Sequence, residues 1–533
     1  MKNAFIKQNE MGAGTSYTEN GAVSYATAGT SLIDQFSKAG TARGRDLNTV
    51  FTEQGTLWAE NPLMALRFPF YLRMITRQAI IGNGEKSEKV QRGQGARDEA
   101  FKRMLWIAKF HPDEFYRNLW LVPVVGSWKD LWVLLTMDDS LNKEKFFQVI
   151  AEGIKDEGSR DLVKKYLPRI RSEKKCTTEW ATKTNALAKE FAKYAGWSFA
   201  DYRNFKSTGK AHEFQRVICS GKYKDIKWNT IPGKALLNLV TGKFLQMHKL
   251  EDAYMEWLKT QPVAKFNGYA YELGKKLGYG YNNRISAVQK VTIDKQFDGL
   301  IATAKKDDGG IKGNVLCAID TSSSMSCQIS GVPGLTSYDV CASLGIYFSE
   351  LNTGVFHNHI ALFENTSRMM ELKGSFSDKW YQIVKSGWWG GGTNFQSLID
   401  LIIRTRRENP NIPLEDFPKT LIVVSDMQFN PCGSQSNYEV MMNKLRACFP
   451  SEWVDEFRCI WWYCASRSGS SKDVPATMEH GGQYLFSGFD GAVISLLLGG
   501  EAKIDEETGK VVQPTMEEMV KAALNQEVLL LVQ

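Results

Sequence analysis

Beyond Val315, short apolar runs alternate with amphipathic stretches, and no other feature of the chain constrains its fold as much. VLCAI is followed by VCASLGIYFSEL, NHIALF by DKWYQIVKS and NFQSLIDLIIRTRR, TLIVVS by EVMMNKLRACF, and CIWWYCA by YLFSG and AVISLLL. Strand–helix alternation with near-continuous apolar strands predicts a parallel sheet covered on both faces, a doubly wound, Rossmann-like α/β domain over 314–533. Such sheets carry their sites beyond the carboxyl ends of the strands.

Residues 46–298 have a different texture. AFKRMLWIAKF, KDLWVLL, KFFQVIAEGI and NALAKEFAKYA space apolar residues three and four apart, and Gly, Pro or Asn separate them. No β-branched alternating run of strand length stands out before Val315. Roughly ten to fourteen short helices, each unable to bury its face alone, predict stacked pairs, an α-helical HEAT-like solenoid or ring. Residues 1–45, rich in Gly, Thr, Ser and Ala, read as a flexible arm reaching a first helix near Ser31–Ala39. The polar, Gly-rich stretch 299–313 reads as a linker between the helical and α/β parts.

At 533 residues the chain exceeds what one hydrophobic core organises. No apolar run approaches the roughly 18 residues of a membrane span, and MKNAFIKQNE lacks the form of a signal peptide, so no membrane partner is expected. Nine cysteines without a C-x-x-C pair point to reduced thiols in a cytoplasmic protein. Residues 1–300 hold 47 Lys/Arg against 32 Asp/Glu, a net of +15, whereas residues 301–533 hold 19 against 27, a net of −8. A basic part joined to an acidic one points to a polyanion partner for the first, nucleic acid foremost; the alternative is a solvated helical surface rich in lysine.

The acidic part carries the clearest chemistry. Asp320 is the first residue off the strand Val315–Ile319, and the D-x-S-x-S turn after it aims Asp320, Ser322 and Ser324 to one side. Gly390-Gly391-Gly392 leads Thr393 into a helix, and Asp426 leaves the end of the run Thr420–Ser425 as Asp320 leaves the first. Five oxygen donors, two of them charged, suit a hard cation such as Mg²⁺ (or Mn²⁺/Ca²⁺) that keeps some waters. The incompletely neutralised metal leaves an open position for an acidic group of a protein partner.

IDTSSSMS, GGGTNF and VVSDM resemble the metal-ion-dependent adhesion site of von Willebrand factor A (vWA) domains, with Asp320, Ser322 and Ser324 in the first motif, Thr393 in the second and Asp426 in the third. One departure is the longer Gly/Pro-containing loop Cys327–Thr336, which implies a rim of its own. VPATMEHGGQYLFSGF, EFYRNLWLVPVVGSWKDLW and TENGAVSYATAGT resemble an uncharacterised family of plants, bacteria and large DNA viruses that joins a helical region to a C-terminal vWA domain. That organisation is similar to the TROVE/Ro family. The resemblance implies a HEAT-like region that binds single-stranded RNA ends and small structured RNAs, as a ribonucleoprotein, beside a vWA domain.

Two stretches support RNA from their chemistry. Lys164, Lys165, Arg169, Arg171, Lys174 and Lys175 recur through consecutive helical turns as a positive face for phosphates. Lys275, Lys276, Tyr279, Tyr281 and Arg284 interleave rings with cations, as single strands require; the alternative is that the tyrosines are core and the lysines solvated. The expected function is therefore non-catalytic RNA binding, with a metal-dependent protein scaffold without RNA as the alternative. An enzyme is not expected: Asp320-Thr321 resembles aspartyl phosphotransferases, but their second acid would fall at Ser322, and no GxxxxGK[ST] loop or Ser/His/Asp arrangement occurs.

Overall fold

The computed structural model describes residues 14–75, 77–81, 85–209, 213–279, 285–386, 390–465, 473–498, 503–504 and 511–533. Its mixed α/β architecture divides into two compact units. One gathers the described residues of Met1–Asp46 and Pro232–Ala523, the other those of Leu47–Ile231 and Leu524–Gln533.

The first unit is built on a six-stranded sheet. Its strands are β1 (Val315–Asp320), β2 (His359–Phe363), β3 (Ser367–Glu371), β4 (Thr420–Ser425), β5 (Arg458–Tyr463) and β6 (Gln483–Ser487), in the order β6-β5-β4-β1-β2-β3. All neighbours are parallel except β2 and β3. Every residue of β1 and β4 is buried, because helices cover both faces and leave no side of the strand for polar alternation. The helix Phe395–Glu408 buries Phe395, Leu398, Ile399, Ile402 and Ile403, a stripe at helical spacing, and closes on Arg406 and Arg407 against its own dipole. From β1 the chain crosses to β2 on one side, and from β4 to β5 on the other. The cleft between β1 and β4 is thus the topological switch point, where open α/β sheets place ligands.

Several elements depart from the sequence reading. The expected linker 299–313 is largely helix, the last half of Ala287–Asp308. That helix and those of 232–277 pack in the same unit as the sheet, so the compact boundary falls near Pro232. Gly274 shows how closely: a Cβ there would lie 2.5 Å from the Trp380 ring and 2.8 Å from Ser343 Oγ. The expected arm 1–45 includes a hairpin, Thr15–Tyr17 with Val23–Tyr25, and the helix Ser31–Ala39, which packs on β6. β3 (SRMME) escapes an apolar-run criterion because it is an antiparallel edge strand, half-exposed along its length.

The second unit is mainly helical, with helices such as Leu47–Glu60, Pro62–Arg73, Arg97–Phe110 and Glu179–Tyr194. It also contains an antiparallel pair, Arg77–Ile81 with Glu85–Gln91, whose EKSEKVQ strand carries no apolar alternation and so gives no signal in the sequence. Inside this unit Arg103 is fully buried and pairs with Glu99 at 2.9 Å and Glu53 at 3.1 Å. Among the described residues no helix is long and apolar enough to cross a membrane. None of the nine cysteines is joined in a disulfide.

Candidate functional site

Asp320 and Asp426 leave the carboxyl ends of the adjacent strands β1 and β4. Register places Ile319 opposite Val424, so Asp320 is level with Ser425, whose hydroxyl donates to Asp320 Oδ2 at 2.5 Å. The other carboxylate oxygen accepts the Ser322 N–H at 2.8 Å, which folds the D-x-S-x-S turn back on its own acid. Ser322 and Ser324 then meet with their hydroxyl oxygens 3.0 Å apart. Burial, and next the charge of Asp426, push the Asp320 carboxyl up to about 7.

Asp426 opens a strained turn. Met427 has φ +63°, a left-handed conformation rare for a side chain of its size. Its N–H donates to Ser425 Oγ at 2.9 Å, and the Gln428 N–H donates to Asp426 Oδ1 at 3.2 Å. Strain of this kind costs about 1–3 kcal/mol and persists only where surrounding contacts enforce it.

The enforcing contacts come from the N-terminal hairpin, part of the stretch 1–45 expected to be a flexible arm. Thr18 donates its hydroxyl to the Phe429 carbonyl at 2.8 Å, and the Glu19 N–H donates to Gln428 Oε1 at 2.6 Å. Asn20 donates its amide to the Gln428 carbonyl and to Asn430 Oδ1. Asn430 in turn holds Thr393. The Thr393 N–H donates to Asn430 Oδ1 at 3.1 Å, and the Asn430 N–H donates to the Thr393 carbonyl at 2.8 Å. A relay thus runs from Asn20 through Asn430 to Thr393. The glycines before Thr393 permit it, since a Cβ on Gly391, at φ +78°, would lie 2.1 Å from Asn365 Nδ2, and one on Gly392 2.4 Å from Asn430 Nδ2.

The three sequence motifs therefore converge on one end of the sheet, with Asp320, Ser322, Thr393 and Asp426 buried and Ser324 half-buried. Among the described residues no three His, Cys, Asp or Glu side chains gather as a metal cluster. A cation here would rest on two carboxylates completed by hydroxyls and water, a donor set that suits a hard divalent ion rather than zinc. The loop Cys327–Thr336 closes on itself through the Ile329 N–H to the Leu335 carbonyl (2.7 Å) and the Ser337 N–H to the Cys327 carbonyl (3.2 Å).

The basic residues divide between the units. Lys165, Arg169, Arg171 and Lys175 line one wall of a groove of about 1170 Å³ in the helical unit; Lys164 and Lys174 lie outside its lining. Sequence reasoning missed the rest of its basic lining, Arg203, Lys206, Arg216 and Lys129. Those residues fall outside the one basic run and arrive through tertiary packing. Lys275, Lys276 and Tyr279 belong instead to the α/β unit. Tyr279 is 41% exposed, yet its hydroxyl bonds Thr336 (2.9 Å) and Asp339, and its ring meets Tyr338 edge-on at 5.4 Å. Burial and the Asp339 charge hold that phenol well above its usual range. Lys275 and Lys276 are exposed, while Tyr281 and Arg284 lie outside the described residues.

Comparison with known proteins divides the chain at other places than the boundaries of the compact units. Residues 314–529 match the model of a domain of unknown function (DUF7788), and residues 18–217 match that of another (DUF2828). The uncharacterized protein L728 of Acanthamoeba polyphaga mimivirus is 22% identical over 535 residues, covering 92% of this chain and 85% of that protein. The DUF7788 match begins one residue before β1 and contains all five candidate metal ligands. The DUF2828 match begins at Thr18, the first hairpin residue to bond the Met427–Asn430 turn, and reaches past Arg216 at the far wall of the groove.

Proposed function

We propose that this is a non-catalytic RNA-binding protein of the TROVE/Ro type. Its helical, HEAT-like unit binds structured or single-stranded RNA, and its vWA-like unit holds a divalent cation and, through it, an acidic group of a partner. The observation that carries the RNA half is the groove, whose lining contains eight Lys or Arg and no acid among the described residues. None of the eight is paired with a carboxylate among the described residues. Cations converging on one concave face repel each other, and a polyanion relieves that repulsion while releasing its own counterions.

The metal half rests on Asp320 and Asp426 standing together at the switch point with hydroxyls around them. Mg²⁺, or Mn²⁺ or Ca²⁺, would be held by Asp320, Ser322, Ser324, Thr393 and Asp426. The bound ion supplies a positive centre that attracts a carboxylate. Asp320 already accepts from Ser322 and Ser425, which fixes its orientation and leaves its remaining lone pairs for the ion or a bridging water. The other reading, a metal-dependent protein scaffold without RNA, draws on this same site.

Electrophoretic mobility shifts of the full chain with a small structured RNA and a single strand, at low and high salt, test the proposal. RNA shifted at low salt and released steeply at high salt is the expected result. No shift at low salt removes the RNA half and leaves the scaffold.

A further inference from the structure

The groove in the helical unit has features that a general basic surface does not need. Its walls come from separate elements: the segment after the helix Glu157–Tyr166 on one side, the helices Phe199–Ser207 and Glu213–Cys219 on the other. Lys206 ties them together, its ammonium donating to the Lys164 carbonyl at 3.1 Å and the Lys165 carbonyl at 3.3 Å. Arg216 is fixed likewise, donating to the Ser207 carbonyl at 3.0 Å and the Gly209 carbonyl at 3.3 Å. The floor is apolar and firm, with Leu167 and Ile170 buried and the Tyr202 hydroxyl donating to the Pro168 carbonyl at 2.8 Å. Two of the eight cations, Lys206 and Arg216, are therefore held at set places instead of waving from a helix face.

The lining also includes an exposed aromatic ring. Trp180 is 42% exposed, and the Lys129 ammonium sits 5.6 Å from its ring centroid. An exposed indole costs solvation and contributes little to a core, but a base can stack on its free face. With Lys129 against the ring, stacking and phosphate contact are available at one point. Duplexes offer no free base face, because their bases are already stacked. A volume of about 1170 Å³ also exceeds the ~300–1,000 Å³ typical of small-ligand pockets, so an extended chain fits better than a compact anion.

From these observations we infer that the groove binds a single-stranded nucleic acid, its successive phosphates along the Arg169–Arg171 and Arg203–Arg216 walls and one base stacked on Trp180. This inference rests on the RNA reading above and adds to it the strand type, the path and the stacking residue.

Fluorescence anisotropy on the full chain tests it, with a labelled 12-nucleotide single-stranded RNA, its DNA counterpart, a duplex of equal length and inorganic polyphosphate as probes. The wild type should bind the single strands more tightly than the duplex. Trp180→Ala should weaken single-strand binding about 5- to 100-fold and leave polyphosphate binding unchanged, and Trp180→Phe should restore much of it. Arg203→Glu with Arg216→Glu should weaken every probe and flatten the salt slope by about one to two. Thermal melts matching the wild type establish that each variant is folded, and Trp180→Leu, which keeps apolar bulk but offers no ring, repeats the stacking test should Trp180→Ala melt early. No binding of any nucleic acid by the wild type overturns the RNA reading and this inference together. Nucleic-acid binding that ignores both Trp180→Ala and the double reversal overturns the groove and spares the RNA reading. Duplex bound as tightly as single strand, or a Trp180→Ala effect equal on polyphosphate, overturns the single-strand assignment.

Discussion

Replacing Asp320 with Asn should stabilise the metal-free protein while abolishing its cation binding. The carboxyl is fully buried beside Asp426 and is pushed from 3.8 to about 7. A folded-state pKa raised above the unfolded one means that the proton favours the fold. Stability from this group is fully present below pH 4 and is lost as pH rises through 7. About three units correspond to ~4 kcal/mol lost by pH 8. The substituted amide carries no charge, so that loss disappears. Its nitrogen, however, replaces one of two acceptor oxygens, and either Ser425 or the Ser322 N–H loses its partner, at about 1–3 kcal/mol. The net gain is about 1–3 kcal/mol in EDTA at pH 8, or a melting temperature higher by roughly 2–6 °C for a unit of this size. At pH 5.5 wild-type Asp320 is largely protonated and the gain should shrink toward zero. Adding Mn²⁺ should reverse the ranking, because only the wild type gains RT ln(1 + [L]/Kd), about 4.1 kcal/mol at a thousandfold excess over Kd. Thermal scans of the full chain at both pH values, with hydrogen exchange assigning the transition to the sheet, provide the measurement. A variant that melts earlier than wild type in EDTA at pH 8, or by the same margin at both pH values, would refute the reasoning.

Three further outcomes are expected. Asn20→Ala should weaken Mn²⁺ binding about 10- to 100-fold in calorimetric titration without touching a ligand, since Asn20 positions Thr393 through Asn430. Lys206 has its pKa lowered to about 8 by burial and by Arg169, so its charge is lost as pH passes 8. Single-strand affinity should fall between pH 7 and 9 in the wild type and show a flatter profile in Lys206→Gln; because an unfolded lysine keeps its proton to higher pH, folding stability should instead rise over about pH 8–10.5. Gly274→Val should lower stability by about 1–3 kcal/mol in urea unfolding, through collision with Trp380 and Ser343.

What could be read from the residues was whatever local sequence decides. β1 and β4 are apolar from end to end, and an acid or hydroxyl directly after such a run must emerge at the sheet's carboxyl edge, so Asp320, Ser322, Ser324 and Asp426 were legible. Thr393 was legible because glycines on one side and an amphipathic helix on the other bracket it. The rest depends on distant partners. Thr18, Glu19 and Asn20 have no pattern of their own, and their role exists only because Gln428–Asn430 lie against them. Arg203, Lys206 and Arg216 join Arg169 and Arg171 through folding of the intervening helices, which no charge count along the chain can register. Tyr279 sits in a run that alternates rings with cations, but Asp339 and Thr336 claim its hydroxyl.

The hairpin that braces the turn after Asp426 also imposes a timetable on synthesis. Residues 15–25 leave the ribosome early, yet their partners Phe429 and Val474 follow some 400 residues later. At about 5–20 residues per second, that interval is roughly 20–80 s. Throughout it a short strand pair with unsatisfied edges must wait, and the helical unit still lacks its closing segment Leu524–Gln533. Nascent chains stalled before Phe429 should therefore expose the strand pair to proteases and chaperones, and a few dozen more residues should close it away.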